Sequence, residues 1–245
     1  MWQYHTMEEI DYPVRINRYL FLKRFCSRRE ADRLIEKGLI KINGKVATLG
    51  QKVNEKDKVE IDEKIQGMSE KYEYVAFHKP RGVVSHNPLE GEKSIEDIYK
   101  SKVRLSPIGR LDKDSEGLII LTNDGRIIDG LLNPKYDHEK EYVVRLDKDI
   151  KPSFKNKMER GVDIEGYVTK PAKVKVGEGK SFRIKLTEGK KHQIRRMCAA
   201  LGYQVKSLKR VSFGPISIRG ILNGHGRKLR PDEKFKLLKL AKMSD

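Results

Sequence analysis

Cysteine is scarce in this 245-residue chain: Cys26 and Cys198 stand far apart, with no Cys or His partner at ligand spacing. That spacing supports neither a disulfide nor a structural zinc site, so both thiols are expected to be inert and no metal is expected. Long apolar runs are missing as well. No stretch of 18 or more apolar residues occurs, so no membrane span is expected. Met1 to Asp11 holds acidic and polar groups without the apolar core of a signal peptide, which points to a cytoplasmic protein. Several catalytic signatures are absent: G-x-x-x-x-G-K-[ST], G-x-G-x-x-G after a strand, His-x-x-x-His, Cys-x-x-Cys and G-x-S-x-G. Their absence argues against ATP hydrolysis, methyl transfer on a Rossmann sheet, metal-assisted hydrolysis and serine esterase chemistry. Any reaction here is expected to need no cofactor.

Acidic residues are also in short supply relative to basic ones. Lys and Arg number 53 against 35 Asp and Glu, a net charge of +18. Such an excess implies a polyanionic partner, because every phosphate neutralised by a cation releases condensed counterions. The hydrophobic share of 37% suffices for a packed core and is too high for a disordered chain.

Residues 14–62 read as a small unit. A helix is expected over Ile16 to Lys23, with Leu20 inward. Ser27 with Glu30 forms a capping-box pattern ahead of Ala31, Leu34 and Ile35, and Gly38 supplies the helix stop. Leu39 to Val46 reads as strand, Asn43-Gly44 turn and strand, with further extended pieces at Val53 and Lys58 to Ile61. Basic residues dominate 15–45: Arg15, Arg18, Lys23, Arg24, Arg28, Arg29, Arg33, Lys37, Lys41 and Lys45, against Glu30, Asp32 and Glu36. Arg28, Arg29 and Arg33 lie within about one helical turn near a helix N-terminus. Guanidinium forks and the helix dipole both favour phosphate there. A solvated basic helix face is the plain alternative; the local charge on a short α–β unit favours RNA. The segment Arg15-Ile16-Asn17-Arg18-Tyr19-Leu20, then Ser27 to Ile35, then Gly38 to Gly44 resembles an S4-type RNA-binding domain.

Residues 63–72 read as a polar linker. Residues 73–230 form a second unit of mixed strands and helices. Tyr74 to Phe77, Leu118 to Leu121, Tyr142 to Leu146 and the alternating Phe182, Ile184 and Leu186 read as strands. Helical spacing follows the Asn123–Gly125 turn, and His192 to Leu201 reads as a helix. The irregular order argues an α+β fold with a mostly antiparallel mixed sheet flanked by helices. Residues 231–245 are expected to be a basic, helical tail.

Three segments could carry chemistry. Gly109 to Leu118 brackets a charged loop between glycines ahead of a buried strand, and such a support suits a site. Asp112 and Asp114 are both candidate carboxylates there, and both could equally cap turns; the residues alone do not choose. Tyr142 opens a strand, which usually means core, but in a nucleic-acid enzyme it could stack on an extruded base. Gly189 to Met197 crowds Lys191, His192, Arg195 and Arg196 at a helix start, where one arginine could turn inward to hold a buried carboxylate ionised.

Together, Gly109-Arg110-Leu111-Asp112-x-Asp114-Ser115-x-Gly117-Leu118, Asp137 to Tyr142 and Gln193-Ile194-Arg195-Arg196-Met197-Cys198 resemble the pseudouridine synthases of the RsuA/RluB/RluE/RluF type. They look closest to the RluF branch, which acts on large-subunit (23S) ribosomal RNA. The resemblance covers all but the two tips of the chain and includes the S4 unit. It implies that Asp112, rather than Asp114, is the nucleophile, that Tyr142 stacks on a flipped uracil, and that Arg195 pairs with Asp112. It implies attack at either C6 of the base or C1′ of the ribose, with no cofactor. RNA contacts are expected from Arg15, Arg18, Arg28, Arg29, Arg33, Lys41, Lys45, Arg110, Lys191 and Arg196, with Arg110 filling the gap left by the base. The expected partner is ribosomal RNA, with transfer RNA as a second candidate, and the chain is expected to be a monomer. Two rival readings are a non-catalytic S4-bearing ribosome-binding or assembly factor, which leaves the Asp112 loop unexplained, and an S4-bearing methyltransferase, which needs a glycine-rich donor site that is absent.

Overall fold

The structure, a computed structural model, describes residues 10–62 and 72–242. The expected linker, Tyr72 excepted, lies outside the described residues, as does the end of the basic tail. Two compact units result. One holds the described residues up to Tyr72 together with Asp124–Arg126, and the other holds the remainder.

In the first unit, β1 (Val14–Arg15) leads into α1 (Ile16–Leu22), followed by α2 (Arg28–Glu36). Ser27 caps α2, its hydroxyl accepting from the Glu30 amide at 3.2 Å. The reciprocal half of the expected box is replaced, because the Glu30 carboxylate turns to Arg33 at 3.0 Å. A carboxylate in the first turn gains from the helix dipole in either arrangement. Strand β2 (Ile40–Ile42) pairs antiparallel with β3 (Lys45–Val46) and, on its other side, with β5 (Val59–Ile61), while β4 (Lys52–Val53) pairs with β1. Asn43 and Gly44 both take positive φ, as the tight two-residue turn between β2 and β3 requires. Ile16, Leu20, Ala31, Leu34, Ile35 and Ile40 close the core. Each large aliphatic buried there contributes roughly 1.5–3 kcal/mol.

The second unit is built on a nine-stranded sheet. Its elements in chain order are β6 (Tyr74–Lys79), α3 (Ile95–Ile98), β7 (Ser106–Ile108), β8 (Glu116–Thr122), α4 (Ile128–Leu132), β9 (Lys140–Leu146), α5 (Ser153–Glu159), β10 (Lys173–Val176) and β11 (Ser181–Leu186). They continue as α6 (Gln193–Ala200), β12 (Val205–Phe213), β13 (Ile216–Ser217), β14 (Gly226–Lys228) and α7 (Pro231–Leu240). The main path runs β10-β11-β9-β12-β8-β6-β14, with β13 beside β12 and β7 beside β8. Every pairing is antiparallel except β8 with β12. The fold is therefore α+β with a mixed, mostly antiparallel sheet, as the sequence led one to expect.

One parallel contact shapes the middle of that sheet. Gly117 has φ +118°, and a Cβ there would lie 2.3 Å from the Arg210 carbonyl oxygen. Only glycine lets β8 and β12 approach this closely. Arg210 is buried, and its Nε donates to the Leu118 carbonyl at 2.6 Å. Phe154, Phe182 and Tyr203 pack edge-on beneath β9 and β11. Both cysteines are buried, and burial pushes each thiol up to about 12, so neither reacts at neutral pH.

Candidate active site

The sheet order β9-β12-β8 sets three segments side by side. The loop preceding β8 carries Asp112, β9 carries Lys140 and Tyr142, and β12 carries Arg210 and Phe213. Tyr142 and Arg210 are cross-strand partners in the β9–β12 register, which places their side chains on one face. Above that face lies a cavity of about 580 Å³ lined by Asp112, Tyr142, Lys140, Arg210, Phe213 and His192 among others. Its size falls in the range of small-molecule sites, and its walls mix apolar surface with a few convergent polar groups.

The geometry separates the two candidate acids. Asp112 lines the cavity with its side chain 35% exposed. Asp114 is 71% exposed, does not line the cavity and faces Arg81 at 3.8 Å. His192 Nδ1 stands 3.3 Å from Asp112 Oδ2. His192 reaches it from a left-handed turn, φ 53°, just ahead of α6. The expected helix from His192 thus begins one residue later. The polar crowding noted at Gly189–Met197 was the signal for this contact, though not for the role of this member.

Arg195 does not form the expected ion pair with Asp112. Its guanidinium donates to the Asp114 carbonyl at 3.0 Å, to Ser115 Oγ at 3.4 Å and to the Val205 carbonyl at 3.3 Å. Rising from α6, it grips the main chain just after Asp112 and ties the loop to β12, because the carbonyls of that turn have no ladder partner. Arg196 likewise turns inward, donating to the Ile164 carbonyl at 2.8 Å and to Glu165 at 2.7 Å. That pairing fastens α6 to the 164–165 turn, which leaves the guanidinium engaged within the protein. Lys191 and Arg110 are exposed and line the cavity. Arg15, Arg18, Arg28, Arg29, Arg33, Lys41 and Lys45 are all exposed on the first unit. Of these, Arg33 is paired with Glu30.

Two lysines near the cavity are perturbed. Burial, with the Arg210 charge added, pushes Lys140 down to about 8. Burial also pushes Lys79 down to about 8, against the upward pull of Asp112, Asp114 and Glu116. Lys79 is fully buried, and its ammonium donates to the Val83 carbonyl at 2.6 Å and the Pro80 carbonyl at 2.9 Å. Sequence reasoning singled out neither lysine, since a lone Lys at a strand end carries no local signal. A buried Glu188 accepts from Tyr167 Oη at 2.7 Å, the Lys170 amide at 3.0 Å and Gln193 Nε2 at 2.6 Å. It holds the turn from which Lys190, Lys191 and His192 project. Among the described residues no cluster of His, Cys, Asp and Glu could hold a metal ion.

Comparison with known proteins returns two families. Residues 73–200 match the RNA pseudouridylate synthase family, and residues 14–59 match the S4 domain. The chain is 45% identical over 236 residues to the dual-specificity RNA pseudouridine synthase RluF of Escherichia coli K12, covering 96% of this chain and 81% of that protein. It is 39% identical over 226 residues to the ribosomal large subunit pseudouridine synthase B of Bacillus subtilis, covering 88% of this chain and 92% of that one. A crystal structure described as a pseudouridylate synthase superimposes with a TM-score of 0.69 at 27% identity, covering 91% of this chain and 99% of the other.

Proposed function

The chain belongs to the RNA pseudouridylate synthase family and carries an S4 domain, and we propose that it isomerises a specific uridine of 23S ribosomal RNA with Asp112 as the nucleophile. The isomerisation of uridine in ribosomal RNA follows from the family and from relatives whose names state that reaction. The large-subunit target, transfer RNA as a second substrate, a monomeric state and work in the cytoplasm are parts of the proposal. The observation that supports it is the position of Asp112: a partly exposed carboxylate on the wall of an open cavity that Tyr142 also lines, whereas Glu188, the other acid there, is buried and engaged by Tyr167, Lys170 and Gln193.

The target uridine must leave its helix, since its glycosidic bond is unreachable in the stack, and unstacking costs a few kcal/mol. Stacking of the uracil on Tyr142 and phosphate contacts from the basic surface offset that cost. Arg110, exposed beside Asp112, is suited to fill the gap the base leaves. The Asp112 carboxylate then attacks C6 of the base or C1′ of the ribose, and the C1′–N1 bond breaks. The base rotates, C1′ bonds to C5, the bond to Asp112 breaks and returns its electron pair to the carboxylate, the C5 proton is removed and N1 carries a proton in the product, so all atoms are conserved and no electrons are gained or lost. Arg195 supports this by fixing the main chain around the nucleophile. The exposed cations of the first unit grip RNA phosphates.

Asp112→Asn removes the nucleophile and little else. It is expected to abolish conversion while RNA affinity stays within a few-fold. Binding lost in proportion to turnover would assign Asp112 a structural role instead.

A further inference from the structure

We infer that Ser85 is a positioning residue for the Asp112 nucleophile. The inference rests on the reading that Asp112 attacks the uridine. Asp112 itself has few holds: its side chain meets His192 at 3.3 Å, and its carbonyl accepts from the Ser115 amide at 3.0 Å. Its placement comes from its two neighbours. Ser85 is 5% exposed, and its hydroxyl engages both polar groups of Leu111, the residue just before Asp112. Oγ donates to the Leu111 carbonyl at 2.9 Å and accepts from the Leu111 amide at 3.0 Å. On the other side, the Gly82 amide donates to the carbonyl of Lys113, the residue just after Asp112, at 2.7 Å. One segment, residues 82–85, thus holds the chain before and after the nucleophile. That segment is itself pinned, through the fully buried Lys79 ammonium on the Val83 carbonyl and the Val84 amide on the Lys93 carbonyl at 2.9 Å.

An attacking carboxylate must lie about 3–3.5 Å from its target, and a misplacement of about 1 Å lowers the rate on the order of 100-fold. Removing the Ser85 hydroxyl leaves the amide and carbonyl of the buried Leu111 without this partner, so the loop must shift to recover them. The loss should therefore fall on the chemical step. RNA gripped by surface cations should be held as before.

The test compares single-turnover conversion and RNA affinity for the full chain, Ser85→Ala and Thr169→Ala. Thr169 is a matched control: its buried hydroxyl accepts from the Val162 amide at 3.0 Å and does not line the cavity. Ser85→Ala is expected to slow conversion on the order of 10- to 100-fold with affinity within about twofold. Thr169→Ala is expected to lose stability and keep the full-chain rate. Ser85→Cys keeps the volume with a weak hydrogen-bonding group. It is expected to slow the same step, and it carries the test if Ser85→Ala does not fold. A Ser85 variant converting at the unsubstituted rate, or slowed no more than Thr169→Ala, overturns the inference alone. An unsubstituted chain that converts no uridine overturns this inference together with the proposed function.

Discussion

Asp112 is held through its main chain more than through its side chain. The loop around it is gripped by Ser85 before it, by Gly82 and Arg195 after it, while His192 stands 3.3 Å from the carboxylate. This arrangement leaves the oxygens open to a ligand. Gly117 completes it from below, because β8 can start its parallel contact with β12 only where no Cβ intervenes. Gly117→Ala would force that Cβ to within 2.5 Å of the Arg210 nitrogen. It is expected to destabilise the second unit by more than about 3 kcal/mol in denaturant unfolding, and a loss under about 1 kcal/mol would show that the two strands can spread. Residue-scale detail was only partly legible in advance. Asp112 and Asp114 look alike as residues because both sit in one charged loop; the resemblance favoured Asp112, and Asp112 is the one that lines the cavity. Ser85, flanked by Val84 and His86, carries no periodic or spacing signal, since its partner lies 26 residues away. Arg195 was expected to pair with the Asp112 carboxylate, and its fork donates instead to the Asp114 and Val205 carbonyls and to Ser115.

Elements with local causes were the most readable. The α2 cap at Ser27, the turn at Asn43-Gly44 and the alternation along β11 depend on neighbours within a few residues, and all are present. The partners of β8 could not be read, because its parallel contact with β12 joins residues more than 90 apart in sequence. α7 was expected only as a terminal helix, yet its Leu237 is fully buried. Arg227 of β14 donates to both oxygens of Glu233 on α7, at 2.6 and 2.8 Å. Those bonds, and the Arg230 amide, hold the nearly buried Glu233 down at about 2, below the ordinary carboxylate value of 4.5. A carboxylate whose pKa falls on folding adds stability above its unfolded pKa and loses it as pH drops through the folded value. The docking of α7 should therefore be worth on the order of 3 kcal/mol more at pH 6 than near pH 2. Glu233→Gln should remove that part of the pH dependence, measured as unfolding free energy between pH 6 and 2. An unchanged slope would show that the bidentate pair does not anchor the helix.

The molecule divides its labour. The small unit offers a field of exposed arginines and lysines, which suits a salt-dependent, sequence-tolerant grip on phosphates. The larger unit offers a cavity of about 580 Å³ lined by the half-exposed Asp112 and the aromatic Tyr142. The charge excess is the sequence feature behind the first proposed role, and the Gly109–Leu118 loop the feature behind the second. The measurement that tests the account most directly is carbodiimide-stop mapping of pseudouridine in ribosomal RNA from cells lacking the protein, after incubation with the purified chain and no added cofactor. The account predicts one newly modified uridine in the large-subunit RNA, no change in RNA mass, and none of this with Asp112→Asn. No newly modified uridine, or the same modification by Asp112→Asn, would contradict it.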